Sequence, residues 1–345
     1  MENRAIVMTE IGHFEEKDVP MPKVKSGDVL VKIEYVGICG SDVHFFESGH
    51  CGASTCTVPF ILGHEVAGTV IEVGENVTTH KVGDRVALEP GQTCGKCEFC
   101  KTGHYNLCED VVFFATPPYD GALMKYVAYP AHMAFILPEN VSTMEGALVE
   151  PLSVGIHAAM QGGVKLGSTV MVNGTGCIGL VTLLAAKAAG ASQIIVSDVF
   201  NKRLEKAVSL GATHIINAAE EDVPGKVAEY TGGRGVDIVF ETSGNIKSIG
   251  QTIDNVRRGG TVVMIGYSPA DEVGYNFGKL IDKEVTIKSV FRYRNIYPTA
   301  IQAISSGSIC IKNIVTHEFD FENSYEAFVS VSNNKQDVIK GVIKL

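Results

Sequence analysis

The chain has no surplus of positive charge, no unbroken apolar stretch long enough to cross a bilayer, no internal repeat and no low-complexity tract. Its 29 Lys and Arg stand against 39 Asp and Glu, a formal net charge of -10. That balance works against nucleic acid and anionic membranes, which are bound by neutralising phosphate. The most apolar region, Thr169 to Ala191, is interrupted by four glycines, Asn173 and Lys187, so it reads as a buried strand plus helix and not as a membrane span. Met1 to Glu10 carries Glu2, Arg4 and Glu10 and lacks the apolar core of a signal peptide; export is not expected, and a cytoplasmic location is. What is present is 345 residues, 45% hydrophobic and 20% charged, enough for two globular domains. Small-molecule chemistry is the expectation.

Nine cysteines is an odd count, which with no export signal favours metal thiolates over disulfides. Cys94, Cys97, Cys100 and Cys108 form a C-x2-C-x2-C-x7-C cluster. Four close thiolates complete a tetrahedron around zinc and leave no open position, so this site is structural; an iron–sulfur centre is the weaker alternative. His104 lies inside the cluster but finds no vacancy, and a solvent-facing place is expected for it. The lobe carries Glu98, Glu109 and Asp110 against Lys96 and Lys101, which is no basic stripe for a nucleic-acid-binding zinc module. Cys51, Cys56, Cys177 and Cys310 lack partners at ligand spacing and read as ordinary thiols, with Cys51 and Cys56 in a loop expected to border the active site.

The first part of the chain reads as β-rich. Val29, Val31, Ile33 and Tyr35 alternate with Leu30, Lys32 and Glu34, and further strands are predicted at Glu65 to Val73 and Arg85 to Leu88. After about Pro151 strands alternate with helices: Thr169 to Asn173, Gln193 to Asp198, His214 to Asn217, Asp237 to Glu241, Thr261 to Gly266 and Val285 to Val290. Six such strands predict a doubly wound parallel α/β sheet with right-handed crossovers. Helices are expected at Ile178 to Ala189 and at Asn201 to Leu210, the latter opened by an Asn cap. Val338 to Leu345 reads as a strand returning to the first domain.

Gly174, Gly176 and Gly179 form a Gly-x-Gly-x-x-Gly run directly after a β-branched strand and open a helix, the context that makes the motif a dinucleotide site of Rossmann type. Backbone N–H groups of Cys177 and Ile178 then face a pyrophosphate at the positive end of that helix. Asp198 ends the second strand, where an acid accepts ribose hydroxyls and repels a 2′-phosphate, so NAD is expected over NADP. Arg203 is placed to stack on adenine, and Lys202 beside it does not override the acid.

Cys39 lies in Gly37-Ile38-Cys39-Gly40-Ser41-Asp42-Val43-His44, and Gly63-His64-Glu65-Val66-Ala67-Gly68 follows. With the glycine motif downstream, the chain resembles the zinc-dependent medium-chain dehydrogenase/reductase family nearly end to end. The cysteine lobe, Glu150-Pro151-Leu152 and Phe291-Arg292-Tyr293 resemble its sorbitol (L-iditol) and xylitol dehydrogenase branch. The resemblance implies a GroES-like β-rich catalytic domain over 1–153 with a zinc lobe at about 90–112, a Rossmann domain over 154–290, and a return to the catalytic domain over 291–345. It implies Cys39, His64 and Glu65 as ligands of a catalytic zinc, with Glu150 either a fourth ligand or the holder of a water, and a homotetramer joined through the nucleotide sheets near Thr261 to Gly266 and Val285 to Val290.

One thiolate and one carboxylate balance a divalent ion and leave an open position for a substrate oxygen. The expected reaction is hydride transfer from a secondary hydroxyl to NAD, with Glu150 taking the proton and Ser41 and His44 as an alternative relay. The resemblance places Ser41, Thr116, Glu150, Arg292 and Tyr293 on the hydroxyls of a polyol, with Phe113 as an apolar wall. A guanidinium suits a chain of hydroxyls and is costly beside a hydrocarbon alcohol. Phe45 stands where sorbitol dehydrogenases commonly carry Tyr, which leaves sorbitol, xylitol, galactitol and L-arabinitol all in play. Rival readings are a zinc alcohol or threonine 3-dehydrogenase, separated only by the pocket, and a non-catalytic NAD-binding redox sensor, which has no use for an open zinc position.

Overall fold

A computed structural model describes residues 2 to 270 and 272 to 345. The chain divides into two compact units, one of Met1–Glu150 with Tyr297–Leu345 and the other of Pro151–Ile296.

The first unit is built on a seven-stranded sheet. Its central strand, Asp28–Gly37, pairs antiparallel with Glu65–Val73, with Tyr126–Pro130 and with Gly341–Lys344. Val29, Val31 and Ile33 are fully buried and Leu30 on the opposite face is nearly so, so both faces of this stretch are covered; a strict inside–outside alternation holds only where one face is wet. The return strand runs over Gly341–Lys344, inside the span Val338 to Leu345. Around this sheet Phe14, Phe46 and Phe328 pack ring against ring, with Phe14 and Phe328 edge-on at 4.9 Å between centroids, adding to the burial of the large core cluster they share.

In the second unit six parallel strands are numbered β1 (Thr169–Asn173), β2 (Gln193–Asp198), β3 (His214–Asn217), β4 (Val236–Glu241), β5 (Val256–Met264) and β6 (Thr286–Ser289). They lie side by side in the order β3-β2-β1-β4-β5-β6, the doubly wound order with its reversal between β1 and β4. The intervening helices are α1 (Cys177–Ala188), α2 (Asn201–Leu210), α3 (Val223–Tyr230), α4 (Ile246–Asn255) and α5 (Phe277–Lys283). α1 is buried from Gly179 to Ala186, which is why its sequence is apolar all round. The expected Asn cap of α2 is corrected: Phe200 is the N-cap and Asn201 the first helical residue. The side-chain oxygen of Asn201 instead accepts from Asn217 at 2.8 Å, tying α2 to the end of β3.

Candidate metal centre and nucleotide site

The strand Asp28–Gly37 runs through Ile38 into a helix, Gly40–Ser48, whose N-cap is Cys39. Its neighbour Glu65–Val73 starts beside this point, since Glu65 pairs with Gly37. Strand register alone therefore brings two short motifs together, and the ligand atoms of Cys39, His64 and Glu65 all lie within 4.8 Å of one another. Sulfur, imidazole nitrogen and carboxylate oxygen are donors zinc takes, and they stand close enough together to converge on one ion. A Cβ on Gly37 would stand 1.9 Å from Glu65 Oε2; glycine at this position is what leaves the carboxylate its place.

Asp42 was passed over in the sequence. It is fully buried, and its Oδ2 accepts the Cys39 N–H at 3.2 Å while Oδ1 accepts the Gly63 N–H at 3.2 Å. The same Oδ1 lies 3.3 Å from His64 Nδ1, which leaves Nε2 as the nitrogen for a metal and fixes the ring orientation. Burial lowers the His64 pKa, but Asp42 and Cys39 outweigh it and hold the group well above the usual imidazole range. The available signal was the spacing: Asp42 is the third residue of a helix capped by Cys39, where a carboxylate reaches back to the cap.

Lys340 was also missed. Its Nζ pairs with Glu65 Oε2 and donates to the Ile38 carbonyl at 2.9 Å, and both charged side chains are 1% exposed. The charge count of one thiolate and one carboxylate against a divalent ion is therefore incomplete by one buried cation. Lys340 precedes the return strand by one residue, and no local pattern connects it to Glu65 across the chain.

Glu150 opens the helix Val149–Gly162 and is buried, yet its carboxylate is not part of the triplet. The Phe113 ring is 5.8 Å from the His64 ring, and Thr116 is tied to Phe113 by an N–H···O bond of 3.1 Å across a turn in which Ala115 has φ 52°. Ser41 is half-buried and His44 exposed on the helix Gly40–Ser48, with His44 Nδ1 4.0 Å from Glu47. Phe45 is buried, its ring 6.2 Å from that of Phe60. Burial, and after it Cys39 and Asp42, push the Cys51 thiol up, so the hairpin holding Cys51 borders the triplet. Arg292 and Tyr293 belong to the second unit; Tyr293 is buried, and Arg292 lies over the Phe291 ring at 4.8 Å in a loop where both Arg292 and Asn295 have φ 56°.

Cys94, Cys97, Cys100 and Cys108 form the second cluster, with Cys94 and Cys100 sulfurs 3.9 Å apart. The N–H groups of Lys96 and Cys97 bring Cys94 down to about 6, while Cys97, against the lowering effect of a backbone bond from Cys100, is pushed up to about 11 by burial and the neighbouring thiols, so the four sulfurs do not ionise together without a cation among them. His104 is exposed and bonds to Thr102. The lobe is anchored by Tyr105, whose hydroxyl donates to Glu89 at 2.8 Å. Burial pushes Glu89 up to about 7, against the lowering effect of that bond.

In the second unit Gly174 has φ 85° and Gly176 is the N-cap of α1. A Cβ on Gly179 would meet the Gly174 carbonyl oxygen at 1.9 Å, so the loop closes only over glycine. Asp198 shapes it: Oδ2 accepts from Thr175 N at 2.7 Å and Thr175 Oγ1 at 2.8 Å, and Oδ1 from Val199 N at 2.8 Å and Phe200 N at 3.1 Å. These four donors fix the orientation of both carboxylate oxygens. A cavity of about 250 Å³ opens here, lined by Gly174, Asp198, Val199, Asn245 and Lys247 among others. The Arg203 guanidinium lies 5.4 Å from the Phe200 ring, and its buried Nε has no hydrogen-bond partner among the described residues. A glycine cradle, a fixed acid and an unsatisfied cation suit a dinucleotide.

The chain matches the alcohol dehydrogenase GroES-like domain over residues 25–139 and the zinc-binding dehydrogenase family over 177–306. It is 42% identical to sorbitol dehydrogenase of Bacillus subtilis over 99% of this chain and 96% of that protein. Among solved structures, an Escherichia coli oxidoreductase of unknown specificity is 48% identical with TM-score 0.96, covering 100% of this chain and 99% of the other. An alcohol dehydrogenase of Escherichia coli CFT073 complexed with NADH is 26% identical with TM-score 0.93, again over 100% and 99%. The chain belongs to the zinc-binding, medium-chain alcohol dehydrogenase family, and it is an oxidoreductase. No helix among the described residues is long and apolar enough to cross a membrane.

Proposed function

We propose that the protein oxidises a secondary hydroxyl of a polyol to a ketone with NAD, using zinc. The observation that carries this reading is the buried Cys39–His64–Glu65 triplet in a chain 42% identical to a sorbitol dehydrogenase over nearly its whole length. Cys39, His64 and Glu65 would hold the catalytic ion, and Cys94, Cys97, Cys100 and Cys108 the structural one. When bound, zinc supplies Lewis acidity toward the substrate hydroxyl and NAD accepts the hydride.

The chain's own residues do the rest. Asp42 orients His64 and the Cys39 backbone. Glu150, buried and outside the triplet, takes the hydroxyl proton through water, with Ser41 and the exposed His44 as a route to solvent. Phe113 closes an apolar wall beside His64. Ser41, Thr116, Arg292 and Tyr293 are assigned to the remaining hydroxyls, where five guanidinium donors match several acceptors. Gly174, Gly176, Cys177, Ile178 and Gly179 carry the pyrophosphate, Asp198 the ribose and Arg203 the adenine.

We further assign the active form as a homotetramer in the cytoplasm. Supporting the assembly, β6 is the last strand of its sheet, its Ile287 is 43% exposed, and Phe277 and Ile281 of the neighbouring α5 are 69% and 72% exposed. β5 is paired on both sides, so β6 is the edge a second copy would extend.

Zinc-loaded protein is expected to reduce NAD with a polyol, to stop when a chelator strips the catalytic ion, and to recover on adding zinc. NAD reduction that persists in fully metal-free protein would sink the proposal.

A further inference from the structure

We infer that Lys340 is a positioning residue that rations the Glu65 carboxylate between itself and the metal. The inference rests on the reading of Glu65 as a zinc ligand. Strand pairing builds the arrangement: Gly37 sits between Glu65 on one side and Val342 on the other, so the return strand delivers Lys340 to the same point, and the Ile38 N–H bonds to the Gly341 carbonyl at 3.0 Å. Lys340 Nζ forms a close ion pair with one oxygen, Oε2, while its hydrogen bond goes to the Ile38 carbonyl at 2.9 Å.

A lysine 1% exposed is an expensive way to fill space, and an apolar residue would pack as well. What the cation changes is the neighbouring carboxylate. With Oε2 bound to Lys340, Glu65 has one oxygen left for the ion, and that oxygen carries less charge. A nearby positive charge also opposes the ion directly. Glu65 is thereby a weak, one-oxygen donor, and the ion keeps room for a substrate hydroxyl. Without Lys340, Glu65 would bind as a strong donor and close that room. Gly37 belongs to the same device, because a methyl group there would occupy the position of Oε2.

The test is the rate at which holoprotein releases its catalytic zinc to an excess of a chromophoric chelator, with Cys39→Ser protein identifying the contribution of the structural ion. Lys340→Met is expected to slow release by at least about tenfold and to raise KM for the polyol while KM for NAD stays the same. Lys340→Arg, which keeps the cation, should remain near wild type. In a Glu65→Gln background, which removes the carboxylate and spares the fold an unpaired buried charge, Lys340→Met should change neither quantity. Release unchanged or accelerated by Lys340→Met in protein that keeps Glu65, or slowed equally in the Glu65→Gln background, would make Lys340 a structural residue only and overturn the inference. Should Glu65→Gln alone leave zinc release at the wild-type rate, the ligand reading of Glu65 falls first and takes this inference with it.

Discussion

At the scale of single residues, the candidate metal ligands are held by a buried carboxylate that is not itself one of them. Asp42 fixes a thiolate-bearing turn and an imidazole at once, using both carboxylate oxygens. Glu150 is the group whose removal should separate chemistry from binding. Glu150→Gln is expected to lower turnover by about 100-fold, the usual worth of a positioned proton acceptor, while leaving the dissociation constant of NAD unchanged; unaltered turnover would take Glu150 out of the reaction. Asp198 makes a different prediction. It is held at the end of β2 with both oxygens fixed, where a carboxylate accepts ribose hydroxyls and opposes a 2′-phosphate, so Asp198→Asn should cut the preference for NAD over NADP, as a ratio of kcat/KM, by about tenfold or more. A ratio that stays constant would assign the preference elsewhere. What the sequence could and could not show divides here along physical lines. Cys39, His64 and the glycine loop were legible because short motifs carry their own geometry. Lys340 was not, because a buried lysine 275 positions from its partner leaves no local trace. The Asn cap of α2 failed for another reason, since Asn201 found Asn217 as a partner and left the cap to Phe200.

Among the elements, Tyr105 of the cysteine lobe bonds to a buried carboxylate, Glu89. Glu89 stands near 7 when folded and near 4.5 otherwise, so the unfolded chain loses this proton first as pH rises. Its contribution to stability is full below about pH 4.5 and is lost as pH passes 7. Glu89→Gln should therefore gain on wild type between pH 5.5 and 8 by about 2 kcal/mol, read from denaturant midpoints; two curves that stay parallel across that range would show Glu89 to be ionised throughout. The lobe itself is expected to be a metal fold. Cys97→Ser should lower the zinc content from two ions per chain to one, whereas retention of both would deny the lobe its ion. The strands were legible for the most part, with β1, β2 and β3 at the boundaries their β-branched runs suggest. β5 starts earlier than Thr261 because Val256 already pairs with Val236 across an irregular register.

For the molecule as a whole, two units divide the labour by what each can supply. A mostly antiparallel sheet with motif-bearing loops holds a cysteine sulfur, an imidazole and a carboxyl group; a parallel sheet offers the dinucleotide a glycine loop at its reversal point. If β6 extends the sheet of a second copy, Ile287→Lys should dissociate the assembly, and light scattering after size-exclusion would read the change in mass. The polyol itself was least legible, because the residues given to its hydroxyls lie far apart in sequence and Phe45, the one departure from the polyol pattern, is a core residue. The central claim is tested most directly by the rate of NAD reduction by zinc-loaded protein across sorbitol, xylitol, galactitol, L-arabinitol, ethanol, benzyl alcohol and threonine. Turnover confined to one or more polyols is the predicted result; turnover with only a simple alcohol or threonine would contradict the roles given to Arg292, Tyr293 and Thr116.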